Sequence, residues 1–339
     1  MLKLDYLTPE SALDAAQDAG PSLVGVIGFP DLPGELPESV PRASVPAEDL
    51  QAGAGRGICE VWTSREPVVT AVDGGIRLAA TGDFLFGVHT VAERGAGIRA
   101  AAERAYREIF ATIGRHGAPH VARFWNYFAR INDDEAGLER YRQFNLGRAA
   151  AFEAAGRIGD VAIPAACALG FTRGEHLTVS FVATRRAGTS LENPRQVNAY
   201  RYPSQYGPQS PLFSRAVIQP AAEGHLLLVS GTASIVGHAT LHEGDVAAQT
   251  RETLANLRAV FGEAERQAGA GAFPMREASY KVYVRHPADA SIVRRELRAA
   301  LGPDIDAHFI RADICRRDLL VEIEAVASSA VPAAGPGLP

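Results

Sequence analysis

Cysteine is scarce in this 339-residue chain: Cys59, Cys167 and Cys315 are odd in number and widely spaced, which excludes a disulfide framework and fits a reducing compartment. Basic runs are missing as well. The 34 Lys and Arg are scattered among 39 Asp and Glu for a net charge of -5, so the electrostatic footprint of a nucleic-acid binder is absent. Apolar runs such as 226–229 fall far short of a membrane span. The start carries Asp5 and Glu10 and has no basic segment followed by an apolar stretch, so no signal peptide is read there. Together these absences predict a cytoplasmic protein with no membrane and no nucleic-acid partner.

Motifs for common chemistries are equally thin. The glycines of 53–57 lack the G-x-G-x-x-G spacing and a preceding strand, and read as a loop rather than a nucleotide cradle. No G-x-S-x-G elbow occurs. His238 and His242 stand four apart but lack a third ligand or an adjoining catalytic glutamate. Neither a metal nor a cofactor is expected.

What the chain does have is apolar material and repetition. At 47% hydrophobic and 22% charged it can bury large cores, and its length suggests about two domains. Two stretches, 76–185 and 221–330, follow one script. Each opens on a short apolar strand ending at a glycine, 76–82 and 226–231, with His89 and His238 each seven residues past that glycine. A helix follows whose inward positions step by four, three and four: Ala102, Tyr106, Ile109 and Ile113 in one copy, Thr250, Leu254, Leu257 and Phe261 in the other. Then come a β-branched and aromatic strand (122–128 and 280–284), a second helix (138–153 and 290–301) and two closing strands (165–169 with 177–183, and 308–315 with 319–326). The expected fold class is α/β, with two tandem units of mixed sheet packed by helices.

Residues 1–75 read as an extension with strands near 24–27 and 58–62. The segment 186–220 reads as a linker rich in proline and aromatics, ordered over a binding site. The Ala-, Pro- and Gly-rich tail, from Ser328 and above all over 331–339, reads as a frayed end.

The second copy resembles the RidA/YjgF-type reactive-intermediate deaminases through Val229-Ser-Gly-Thr, the helix that begins Asp245-Val-Ala-Ala-Gln-Thr-Arg, and Val321-Glu-Ile-Glu-Ala-Val-Ala. That resemblance implies a chorismate-mutase-like α/β unit, of a kind that associates in threes with sites in the clefts between units. A fuller match, covering most of the chain from about residue 76, is to the chorismatase family (3-hydroxybenzoate synthase or chorismate lyase type). It rests on Arg123-Phe-Trp-Asn-Tyr, Arg130-Ile-Asn, the stretch from Gly137-Leu-Glu-Arg-Tyr-Arg to Asn-Leu-Gly-Arg148, and Ala312-Asp-Ile-Cys-Arg-Arg-Asp-Leu-Leu-Val-Glu322. The implied substrate is chorismate, as a small-molecule partner, and the implied product beside the ring acid is pyruvate.

Chorismate carries two carboxylates and an enolpyruvyl ether. A site for it needs cations for the acids and one proton donor near the vinyl methylene. Strand alternation puts Glu322 and Glu324 on the face opposite Val321, Ile323 and Ala325, and the first copy has Ser180 where the second has Glu322. From the residues alone, a solvent-facing strand glutamate is an equally good description of Glu322, because exposed carboxylates are the rule.

The resemblance places the catalytic acid on Glu322 and carboxylate-binding groups on Arg148, Arg215 and Tyr202. Arg311, which shares strand parity with Cys315, is a further candidate cation. Cys315 with Gly231 implies the branch that makes 3-hydroxybenzoate. 4-Hydroxybenzoate, alone or mixed, and hydrolysis to 3,4-dihydroxycyclohexa-1,5-diene-carboxylate remain alternatives, as does a RidA-like enamine/imine deaminase or a metabolite-binding protein. Assembly is left open between monomer and trimer.

Overall fold

The computed structural model describes residues 2–32, 34–51, 57–158 and 163–330. The tail 331–339 and all of the 53–57 loop except Gly57 lie outside the described residues.

The helix phase read from sequence is the phase that packs. Ala102, Tyr106, Ile109 and Ile113 on helix Gly97–Arg115 are fully buried, and so, to within 2% exposure, are Thr250, Leu254, Leu257 and Phe261 on helix Val246–Ala268. Each helix lies with a second one, Arg140–Ala154 or Ala290–Leu301, on the outer face of its own sheet.

The two sheets repeat the same order. The first runs Ala165–Phe171, His120–Ala129, His176–Thr184, Phe84–Ala92, Ile76–Ala80, Val69–Asp73. The second runs Ala307–Arg311, Ser279–Val284, Val321–Ala330, Gly224–Thr232, Ala216–Ala221, Thr189–Leu191. Each holds one parallel pair in an otherwise antiparallel sheet; in the second the pair is at the edge, whereas in the first a seventh strand, Asp313–Ile314, adds antiparallel outside Ala165–Phe171.

This order corrects the strand matching made from sequence. Gly224–Thr232 is the counterpart of Phe84–Ala92, and Ile76–Ala80 answers to Ala216–Ala221. His89 and His238 are therefore not equivalent: His89 lies within a strand, bonded to Glu108 at 2.5 Å, whereas His238 lies in a turn beyond one. Both glycines end apolar strands, but they end different strands of the hairpin. The second sheet also takes Thr189–Leu191 and Ala216–Ala221 out of the segment read as linker, and the strand Val321–Ala330 draws in Ser328 and Ser329, which pair with Leu226 and His225.

Period-two alternation divides each sheet between two cores. Phe124 and Phe128 face the outer helices, while Trp125 and Tyr127 face a central core; Val282 and Tyr283 divide in the same way. The central core has a third wall. The four-stranded sheet Leu2–Leu7, Ile58–Ser64, Leu23–Phe29, Arg42–Ser44 contributes Leu4, Ile27, Phe29 and Trp62 to it, and helix Pro9–Ala19 covers the other side of that sheet. The strands expected near 24–27 and 58–62 are thus the two inner strands of a third sheet. No helix among the described residues is long and apolar enough to cross a membrane.

Candidate active site

Glu322 follows Val321 at the start of a central strand, where alternation turns it away from the outer helices and opposite Tyr283 of the neighbouring strand. It faces the seam between the two units. Asp313–Ile314 crosses that seam to pair with Leu169 and Gly170 of the first sheet, which carries the next residue, Cys315, to the same place. A cavity of about 610 Å³ opens there, and its lining includes Glu322, Cys315, Gly231, Arg215 and Tyr202. Five of the seven residues anticipated from sequence meet in it.

Glu322 is only 3% exposed, and its Oε1 has no hydrogen-bond partner. Burial, seconded by the negative charge of Glu324, pushes its carboxyl up to about 8, against the opposing pull of Arg123 and Arg285. At neutral pH it is a protonated acid facing a cavity. The description as a solvent-facing glutamate is overturned because the face that alternation assigns to Glu322 is covered by the opposite unit.

Cys315 is held as a thiol: burial, with the neighbouring Glu322 charge, pushes it up to about 12. A group so far from thiolate is a wall and a weak donor rather than a nucleophile. Gly231 leaves room for the acid, since a Cβ at that position would lie 1.9 Å from Oε1 of Glu322.

Arg215 donates through Nη2 to the Tyr202 hydroxyl at 2.8 Å and to the Val197 carbonyl at 2.9 Å, while its buried Nε has no partner. The Tyr202 and Phe213 rings pack on its guanidinium, 5.7 and 5.1 Å away. These contacts fix the guanidinium in place on the cavity wall.

Arg148 and Arg311 are not brought into the lining. Arg148 is buried behind Phe144, donates to Asn145 at 3.0 Å and leaves its Nε unpartnered; its charge acts on the hydroxyls of Tyr106 and Tyr141, and only Tyr141 of these lines the cavity. Arg311 is tied to Asp313 at 3.2 Å near the strand end. Shared strand parity with Cys315 does not make it a neighbour of the site, because the backbone leaves the second sheet between the two residues and joins the first.

Two side chains that sequence reasoning did not single out stand where Arg148 and Arg311 were expected. Tyr141 is one. Arg316 is the other: its Nη1 donates to the His238 carbonyl at 2.9 Å, its guanidinium lies 4.0 Å from the Tyr206 ring centre, and its buried Nη2 has no partner. Both belong to stretches that carry the family resemblance, but nothing in their own spacing separates them from surface residues. His238 bonds the hydroxyl of Tyr206 on the cavity wall at 3.1 Å, whereas His242 faces Glu252, so the two histidines hold different partners.

Comparison with known proteins bears on the family of the chain. Residues 60–183 match a family model described as chorismatase FkbO/Hyg5-like, N-terminal. A chorismatase of Streptomyces rapamycinicus is 40% identical over 299 residues, which cover 86% of this chain and 87% of that protein. A 3-hydroxybenzoate synthase of Streptomyces hygroscopicus is 39% identical over 289 residues, covering 82% and 84%. A chorismatase crystal structure at 1.08 Å superposes with a TM-score of 0.86 at 33% identity, covering 97% of this chain and 98% of that one.

Proposed function

The chain belongs to the chorismatase family, and from that premise we propose that it converts chorismate to 3-hydroxybenzoate and pyruvate. The observation that carries this reading is a single protonated carboxyl, Glu322, with an unpartnered oxygen in a cavity that also holds unspent arginine donors. Arg215 with Tyr202 takes one substrate carboxylate and Arg316 the other. Arg148 acts from behind, holding Asn145, which bonds the Tyr141 hydroxyl.

Glu322 gives its proton to the enolpyruvyl methylene, which becomes a methyl group beside an oxocarbenium centre. The bond from ring carbon 3 to the ether oxygen then breaks, with its electron pair going to that oxygen, the future pyruvate carbonyl. The ring 4-hydroxyl oxygen fills the electron deficiency at carbon 3. The bond from that oxygen to carbon 4 then breaks, with its electron pair going to the oxygen; carbon 3 gives up its hydrogen as a proton to the Glu322 carboxylate, and the ring aromatises as 3-hydroxybenzoate. Substrate and products have the same atoms, so no water is consumed.

The neutral Cys315 thiol and the space left by Gly231 form the ring end of the pocket and keep water from competing with the 4-hydroxyl. The 3-hydroxybenzoate outcome follows from these two residues and from the product named for one relative. The chain acts in the cytoplasm and needs no cofactor.

The test is purified protein with chorismate and no additive, with pyruvate quantified and the ring product identified by chromatography. Pyruvate equimolar with 3-hydroxybenzoate is expected. Pyruvate with 4-hydroxybenzoate or the diene diol would overturn the assignment of ring chemistry, and no pyruvate would overturn the activity. Glu322→Gln should lower kcat by at least about a hundredfold while chorismate still binds; retained turnover would remove the general acid.

A further inference from the structure

The face that carries Glu322 also carries Glu324, two residues further along the same strand and therefore about 7 Å away. Their surroundings differ. Glu324 accepts from Lys281 at 2.7 Å, from Trp125 at 3.1 Å, from the Tyr283 hydroxyl at 3.2 Å and from Arg123. Lys281 is shared with Glu60 of the third sheet at 2.5 Å, and Glu60 is held by Trp62 at 2.6 Å. All of these groups are buried, and the cluster of Glu60, Glu324, Lys281 and Arg123 balances two negative charges with two positive ones. Burying so many charges is costly unless they have a use, since apolar residues of similar volume commonly serve stability as well or better.

The first unit supplies an internal control. Ser180 lies opposite Trp125 just as Glu322 lies opposite Tyr283, and Val182 lies opposite Arg123 just as Glu324 lies opposite Lys281. The cation is therefore present in both units, whereas both acids are absent together from the unit that does not carry the site. A salt bridge that only joined the units would not require its acid to accompany Glu322.

The charged and titratable groups around Glu322 come from every neighbouring element. They are Glu324 on its own strand, Tyr283 and Arg285 on the adjacent strand and just beyond it, and Arg123 and Cys167 across the seam. Cys315 and Tyr141 lie beside it, and Glu139, Arg215 and Arg316 line the same cavity. Burial is the larger cause of the raised Glu322 carboxyl; Arg123 and Arg285 draw it toward its anion, and the fixed Glu324 carboxylate is the charge that opposes them. Resting on the general-acid reading above, we propose that Glu324 is a positioning residue, whose carboxylate, clamped by Lys281 and Arg123, keeps Glu322 in its neutral, proton-donating form.

The experiment is pH-dependent infrared difference spectroscopy of the protonated carboxyl band, assigned to Glu322 by its loss in Glu322→Gln, alongside pH–rate profiles. In Glu324→Gln the band's midpoint should fall by about one pH unit or more, and the alkaline limb of kcat should move with it. The rate lost at pH 8 should then exceed that lost at pH 6 by about fivefold. Glu324→Asp should restore the midpoint.

If Glu324→Gln does not fold, the paired change Glu324→Gln with Lys281→Met removes both partners of the ion pair and should move the midpoint the same way. An unmoved midpoint, with a rate loss equal at all pH values, would overturn the proposal and leave Glu324 a structural ion. If instead Glu322→Gln keeps its turnover, the general-acid reading fails, while the infrared midpoint still decides whether Glu324 governs the charge of Glu322.

Discussion

Gly231 and Glu322 share one space: a Cβ on the glycine would meet Oε1 of the acid at 1.9 Å and its carboxyl carbon at 2.6 Å, with Cβ of Cys167 at 3.2 Å. The backbone of Gly231 has no left-handed φ, so the glycine is required for this approach and not for a turn.

Gly231→Ala should therefore fold normally and move the chemistry. The atoms it meets first are the end of a flexible side chain, so the carboxyl swings aside rather than the strand. The expected outcome is a melting temperature within a few degrees of the parent, a kcat lower by about tenfold or more, and a smaller share of 3-hydroxybenzoate among the ring products. Chromatographic product ratios check this; an unchanged rate and ratio would mean that the placement of the Glu322 carboxyl does not matter.

Glu322 also makes stability depend on pH in a set direction. Its carboxyl is raised in the folded state to about 8 from an ordinary 4.5, so between these values the folded chain holds a proton that the unfolded chain has released. Fewer protons bound in the unfolded state means that stability falls as pH rises through this window. The loss attributable to this group is on the order of a few kcal/mol. Glu322→Gln, which cannot ionise, should lose less stability than the parent between pH 5 and pH 8 in urea titrations. Parallel losses in the two proteins would show that Glu322 does not titrate in this range.

The third wall of the central core bears on assembly. The four-stranded N-terminal sheet closes the central core from within the same chain, burying Trp62 5.8 Å from the ring of Trp125. The protein should therefore be a monomer near 36.0 kDa by light scattering at micromolar concentration. A trimer mass would mean that the N-terminal sheet does not replace a partner. Trp62→Ala should destabilise the whole chain by about 3–5 kcal/mol in a single unfolding transition, because the core it serves belongs to all three sheets.

Much of the fold was legible because it is written locally. The four-three-four spacing of Ala102, Tyr106, Ile109 and Ile113 holds wherever the helix packs, and the β-branched and aromatic strands declare themselves in the same way. The opening strands were matched wrongly because an apolar run ending at glycine marks a strand without saying which strand of a hairpin it is. Cys315 and Glu322 were found through motif resemblance, and Arg215 and Tyr202 likewise. Tyr141 and Arg316 were passed over because an arginine beside another arginine, or a tyrosine in a charged helix, has no local signature of facing a cavity.

The sequence by itself determined that Glu322 and Glu324 lie on one face of a strand, that the opposite face is apolar, and that the first unit has Ser180 in place of the acid. Strand alternation is a property of the backbone and needs nothing from elsewhere in the chain. Only the tertiary structure decided what that face meets. Arg123 from the first unit and Lys281 from the adjacent strand converge on Glu324 and ionise it, with Glu60 of the N-terminal sheet bonded to Lys281 behind them, whereas burial and then the Glu324 charge keep the proton on Glu322 beside the bare side of Gly231. A carboxyl's charge state follows from desolvation and from charges within a few ångströms, and such a neighbour can be 201 residues away in sequence, as Arg123 is from Glu324.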